Sequence, residues 1–176
     1  MEKDHRKTVT LVLGGVRSGK SHYAQQLGER VQRVVFVATA QPGDKEMQRK
    51  IELHQSSRPP HWTTVEEPLA LSEAIAQHGR GCDLMIIDCL TLFATNLLHA
   101  EAGDPPIDRL CAALAAPPCA MVLVSNEVGS GVVPPYPLGR QFRDLLGEIN
   151  QRVAAVASDV VLLIAGLPLV LKGQQP

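Results

Sequence analysis

Gly14-Gly15-Val16-Arg17-Ser18-Gly19-Lys20-Ser21 sets glycines, a lysine and a hydroxyl at the spacing G-x-x-x-x-G-K-S, directly after the apolar run Val9 to Leu13. Gly14, Gly15 and Gly19 let the backbone curl tightly and approach an anion. A helix beginning near Gly19 would aim its free N–H groups and its dipole at that anion. Lys20 is expected to reach the β- and γ-phosphates of a nucleotide, and Ser21 to ligate Mg²⁺. A glycine-rich turn without a ligand would not require Lys and Ser in succession.

Other residues could join this chemistry. Asp88 ends the apolar run Leu84-Met85-Ile86-Ile87. It fits either a metal-coordinating carboxylate at a strand tip or the cap of the helix that follows. His54 shares a helical stripe with Met47 and Ile51. It reads as a half-buried structural histidine or, beside Arg58-Pro59-Pro60, as a nucleophile toward an α-phosphorus. Arg17 and Arg58 could neutralise developing charge. Asn126 and Glu127 follow a buried strand and suit either substrate contact or turn capping. Trp62, the only tryptophan, is expected to pack.

The elements that must position these groups alternate between strand and helix. Strands are expected at Val9–Leu13, Val34–Ala38, Trp62–Val65, Leu84–Asp88 and Ala120–Ser125, with two closing strands at Asp159–Ala165 and Leu167–Leu171. Helices are expected at Ser18–Arg30, from Asp44 to about Ser56, Leu69–Gln77 (ended by Gly79 and Gly81), Leu90–His99, Ile107–Leu114 and Gly139–Ala157. Gly129 to Gly139 reads as a long loop. This pattern is an α/β, P-loop NTPase-like fold. Its mostly parallel central sheet is flanked by helices and carries a short antiparallel edge. One domain over 1–176 is expected, with a polar tail over 1–8.

Composition narrows the function classes. The 176 residues are 45% hydrophobic and 20% charged, a globular balance, with net charge −1. No charge excess favours nucleic acid or an anionic membrane. The four cysteines show no C-x-x-C spacing, so no zinc site is expected and reduced thiols are. No secretory leader or membrane span is apparent, which suits a cytoplasmic protein.

Together, GGVRSGKS, VATAQ (37–41), DKEMQRKIELHQSSRPPHWTTVEEP (44–68), IIDCLTLFATNLL (86–98) and SNEVGSGVVPPYPLGRQFRDLLGEINQRVA (125–154) resemble the bifunctional adenosylcobinamide kinase / adenosylcobinamide-phosphate guanylyltransferase family of cobalamin biosynthesis. The resemblance runs from about Thr10 to Gly173. It implies phosphorylation of adenosylcobinamide by ATP or GTP, then transfer of GMP from GTP to that phosphate through a guanylylated histidine, at His54. Implied nucleotide contacts are Gly14, Gly15, Val16, Arg17, Ser18, Gly19, Lys20, Ser21, Ala38, Thr39, Ala40, Gln55, Ser56, Ser57, Arg58, Glu66 and Asp88. Ser21 and Asp88 are the implied Mg²⁺ ligands, and a homotrimer is the implied assembly. The residues alone also admit a P-loop kinase for another small alcohol, or a nucleotide-binding switch, although the chain lacks the N-K-x-D guanine-reading motif.

Overall fold

The computed structural model describes residues 7–41, 43, 48, 49 and 58–176. Of the helix expected from Asp44 to about Ser56, only 48 and 49 are among them, and both are helical. The described residues form a sheet of seven strands: β1 (Val9–Gly14), β2 (Val34–Ala38), β3 (Thr63–Glu66), β4 (Leu84–Asp88), β5 (Ala120–Asn126), β6 (Asp159–Ile164) and β7 (Leu167–Lys172). The order is β3-β2-β4-β5-β1-β6-β7, parallel except that β7 runs antiparallel to β6. The expected architecture, antiparallel edge included, is the observed one.

Both faces of the sheet are covered, which is why its inner strands are apolar at consecutive positions. Leu11, Val37, Met85, Ile87 and Leu123 point to one face, under α2 (Leu71–His78), α3 (Leu90–His99), α4 (Pro105–Ala115) and α5 (Pro137–Val156). Val12, Phe36, Ile86, Val124 and Val161 point to the other, under α1 (Lys20–Gly28) and Trp62. Strand alternation sorts Ile86 from Ile87 and Leu123 from Val124. Removing such a side chain from water contributes about 1.5–3 kcal/mol, so each strand is fixed in register from both sides.

Several boundaries differ from expectation for local reasons. Helices α4 and α5 begin two residues early, at Pro105 and Pro137. Proline lacks an N–H, but the first helical turn leaves its N–H groups unpaired in any case, so it starts a helix readily. Gly79 does not end α2 by a left-handed turn: its φ is −74° and its N–H donates to Ile75. It is small because a Cβ there would lie 2.3 Å from Pro118 Cγ. The β6–β7 hairpin turns on Ala165 and Gly166, at φ 52° and 81°, both positive as a tight type I′ turn requires.

Trp62 packs, as expected. Its ring stacks on Phe36 at 6.5 Å between centroids and 22° between planes. It also sits on Gly28 of α1, where a Cβ would meet ring atoms Cη2 and Cζ2 at 2.6 Å. Gly28→Val is therefore expected to overpack this face and cost about 1–3 kcal/mol, read as a lowered urea midpoint. An unchanged midpoint would show that Trp62 has room to retreat.

Candidate active site

The phosphate loop lies between the tip of β1 and α1. It is held by main-chain bonds from two other parts of the sheet. Gly14 C=O accepts the Glu127 N–H beyond β5 (3.0 Å), and Ser18 C=O accepts the Gly166 N–H at the tip of the β6–β7 hairpin (2.9 Å). Within the loop, Ser18 N–H donates to Gly15 C=O at 3.3 Å. Gly19, the residue before α1, has φ 97° and lends the helix no side-chain cap. A Cβ there would lie 3.3 Å from Gly166 Cα, so glycine is needed for both its dihedral and its contact with the hairpin. Arg17 takes φ 55° without being glycine. Val16 is 86% exposed, so its use to an anion is through its backbone amide. The first-turn N–H groups of α1 that precede Tyr23 are the donors such an anion would meet.

Lys20 is buried, and Nζ donates to Gly15 C=O (2.6 Å) and more weakly to Ser18 Oγ (3.4 Å). Burial lowers its pKa from 10.5, with Cys89 and Asp88 pulling it upward. An ammonium so placed gains from an anionic acceptor, because burial has already removed much of its water.

Asp88 closes β4 on the α1 side of the sheet, the side that Leu84 and Ile86 share. The capping position of α3 falls on Cys89 rather than Asp88. Ser21 at the start of α1 and Asp88 supply a hydroxyl and a carboxylate. Among the described residues no group of three or more His, Cys, Asp or Glu could hold a metal alone. That donor set fits Mg²⁺, which keeps several waters and takes its remaining ligands from substrate phosphates. Burial pushes the Cys89 thiol up to about 12, so it stays a neutral thiol and is no nucleophile.

Thr39, expected as a nucleotide contact, also has a structural task. It is fully buried, and its hydroxyl donates to Cys89 C=O (2.7 Å) while accepting the Cys89 N–H (2.8 Å). Its own N–H reaches Asp88 C=O (3.3 Å), and its C=O accepts Asn96 Nδ2 (2.9 Å). The N–H and hydroxyl of Thr39 thus brace the turn after Asp88, while its C=O holds α3. Asn96 also donates to Pro68 C=O (3.0 Å), tying α3 to the ends of β2 and β3. Sequence reasoning missed Asn96 because it sits in an apolar helical pattern and its partners are distant backbone carbonyls.

Arg58 lies over the Phe36 ring, 3.7 Å from its centroid. Its Nε and Nη1 are buried and have no hydrogen-bond partner among the described residues. Burial lowers its pKa, opposed by the charges of Asp88 and Glu66. The structure therefore gathers Gly14–Ser21, Asp88, Arg58 and Glu66 around the α1 side of the sheet's carboxyl edge, with Ala38 on the same face. Ala40 is half-buried. His54, Gln55, Ser56 and Ser57 lie outside the described residues. The support of Ser18 by Gly166 was also missed, although Ala165-Gly166 between two apolar runs was a readable turn signal.

Known proteins share this fold. The chain resembles an ATPase from the type III secretion system of pathogenic bacteria (TM-score 0.57, 13% identity, covering 93% of this chain and 57% of that one). It also resembles a KaiC-like protein from Pyrococcus horikoshii OT3 (TM-score 0.52, 13% identity, covering 89% and 70%). These likenesses establish the P-loop NTPase fold. By sequence, the chain is 43% identical over 168 residues to the bifunctional adenosylcobalamin biosynthesis protein CobP of Pseudomonas aeruginosa, covering 93% of this chain and 97% of that one. It is 39% identical over 178 residues to the bifunctional adenosylcobalamin biosynthesis protein CobU of Escherichia coli K12, covering 92% and 98%. The family model described as cobinamide kinase / cobinamide phosphate guanyltransferase matches residues 10–171. A match of that extent, on a fold built to grip phosphates, means that the chain belongs to the cobinamide kinase / cobinamide phosphate guanyltransferase family, bifunctional transferases of adenosylcobalamin biosynthesis.

Proposed function

We propose that one domain carries two successive transfers. In the first, the terminal phosphoryl group of ATP or GTP passes to the aminopropanol hydroxyl of adenosylcobinamide, and the hydroxyl proton is released. In the second, His54 attacks the α-phosphorus of GTP and expels pyrophosphate. The phosphate of adenosylcobinamide phosphate then displaces the histidine, giving adenosylcobinamide-GDP. The observation that carries this reading is the phosphate loop itself, braced by Gly166 and Glu127, with the buried Lys20 ammonium beside it.

Each group has a physical task. Amides of Gly15 to Ser21 cradle the phosphates, and Lys20 opposes their charge. Arg58, with two buried N–H donors unpaired among the described residues, suits a phosphate oxygen; Glu66 lies close enough to influence it. Mg²⁺, held by Ser21 and Asp88, would supply charge neutralisation between the phosphate oxygens. A covalent histidine divides nucleotidyl transfer into two displacements, so GTP and the bulky corrinoid need not be bound together.

No helix among the described residues is long and apolar enough to cross a membrane, in keeping with a cytoplasmic enzyme acting on small molecules rather than nucleic acid. Strand β7 leaves Leu167, Leu169 and Leu171 exposed. These alternate positions form an apolar edge of the kind subunits cover, which supports self-association, the homotrimer being what the family resemblance implies. Sedimentation of a single-chain species at micromolar concentration would remove that assembly.

Incubation with adenosylcobinamide, ATP and GTP is expected to yield adenosylcobinamide-GDP by mass. His54→Ala should stop at adenosylcobinamide phosphate and take no acid-labile label from α-labelled GTP; a label that persists would remove His54 from the reaction. Lys20 gives a pH test. Its folded pKa is lowered from 10.5, so the unfolded chain holds that proton more tightly. The buried charge then costs stability at neutral pH, and the cost fades as pH rises through the folded pKa toward 10.5. Lys20→Met is expected to unfold no more easily than the parent near pH 7 while losing at least about tenfold in triphosphate affinity. A destabilised variant with unchanged affinity would give Lys20 a structural role instead.

A further inference from the structure

Asn126 and Glu127 read alike in sequence, and the structure separates them. Glu127 turns its carboxylate onto the following loop, where Oε1 accepts the Gly129 N–H at 2.6 Å. Asn126 is the last residue of β5, the strand that lies between β1 and β4. It stands opposite Gly14 in the register. Val122 and Val124 of the same strand belong to the core beneath α1, so alternation brings the Asn126 side chain out on the α1 side. There it lies between the phosphate loop on β1 and Asp88 on β4.

Its backbone is pinned and its side chain is not. The Asn126 N–H donates to Thr91 Oγ1 (2.9 Å), and its C=O accepts Asn150 Nδ2 (3.0 Å). Asn150 in turn accepts Ser125 Oγ at 2.6 Å. These bonds fix the strand tip to α3 and α5. The Asn126 carboxamide makes no hydrogen bond to a described residue, although the residue is half-buried. A fold that braces the main chain on both sides and leaves the amide free has positioned that amide for something else.

We propose that the Asn126 carboxamide is the contact for the terminal phosphate of the bound nucleoside triphosphate, an assignment that rests on the nucleotide reading above. Its Nδ2 donates to a γ-phosphate oxygen, beyond the phosphates that the loop amides hold. A neutral donor suits the place between Lys20 and Asp88. It orients the transferring group without adding to the charge on either side.

The test is calorimetry of β,γ-imido-GTP and of GDP, each with Mg²⁺, on the full chain and on Asn126→Ala and Asn126→Asp. The triphosphate-to-diphosphate affinity ratio is expected to fall about tenfold in Asn126→Ala, as for one hydrogen bond to a charged group. It should fall further in Asn126→Asp, where a carboxylate faces the phosphate. GDP affinity and the urea midpoint of Asn126→Ala should stay at the parent's values, since no hydrogen bond of its side chain is lost. A ratio unchanged in both variants, or a loss equal for GDP and the triphosphate analogue, overturns the assignment. If the parent chain binds neither nucleotide, the nucleotide reading fails and this one with it. Binding by the parent with an unaltered ratio in the variants defeats this inference alone.

Discussion

A loop that offers its own amides to an anion cannot also use them to hold itself in place. That constraint governs this structure. The stretch from Gly14 to Gly19 is shaped by few bonds of its own, and it contains a non-glycine residue at positive φ, Arg17. Such a dihedral costs on the order of 1–3 kcal/mol and persists only where the surroundings enforce it. Here the enforcement comes from the two elements flanking β1 in space. The segment after β5 bonds Gly14, and the β6–β7 hairpin bonds Ser18. The antiparallel edge is therefore more than a way to finish the sheet. Its tight turn delivers an N–H to the phosphate loop and leaves room for that approach because Gly19 has no side chain.

The same economy applies across the carboxyl edge. Thr39, Asn96, Thr91, Ser125 and Asn150 are committed to main-chain or side-chain partners at strand tips. A buried polar group left without a partner costs about 1–3 kcal/mol, so this network makes alternative placements of the tips expensive. The ends of β2, β4 and β5 are fixed, so the side chains that they carry are held in place by the backbone rather than by partners of their own alone. Rigid support is what lets such groups keep one position.

Legibility in the sequence followed the range of the forces involved. The phosphate loop was readable because its requirements are local: glycines for dihedrals, Lys20 and Ser21 for the anion. The sheet was readable because buried strands carry consecutive apolar residues, and Leu84 to Ile87 needs no partner to reveal itself. The hairpin turn was readable from its spacing. What could not be read depended on distant groups. Thr39 passes for a ligand contact in its motif, and only the position of Cys89 shows that its hydroxyl is occupied. Gly79 passes for a helix-ending glycine, and only Pro118 explains it. Asn126 and Glu127 were equivalent until the structure set the Glu127 carboxylate on the Gly129 N–H and the Asn126 side chain on the α1 side.

The electrostatics of the site turn on one carboxylate, Asp88. Lys20 and Arg58 are both pulled down in pKa by burial, and Asp88 opposes that shift in each. One carboxylate thus lies within the field of two partly desolvated cations. A triphosphate entering beside it would meet Lys20 as an attraction and Asp88 as a repulsion. Removing Asp88 would relieve the repulsion and leave the cations without their resident counter-charge. Asp88, with the Ser21 hydroxyl, would hold a divalent ion, whose charge would offset that repulsion by making the carboxylate a ligand. Asp88 thus raises the pKa of Lys20 and Arg58 against the burial that lowers both, and the same carboxylate would repel a bare anion entering beside them.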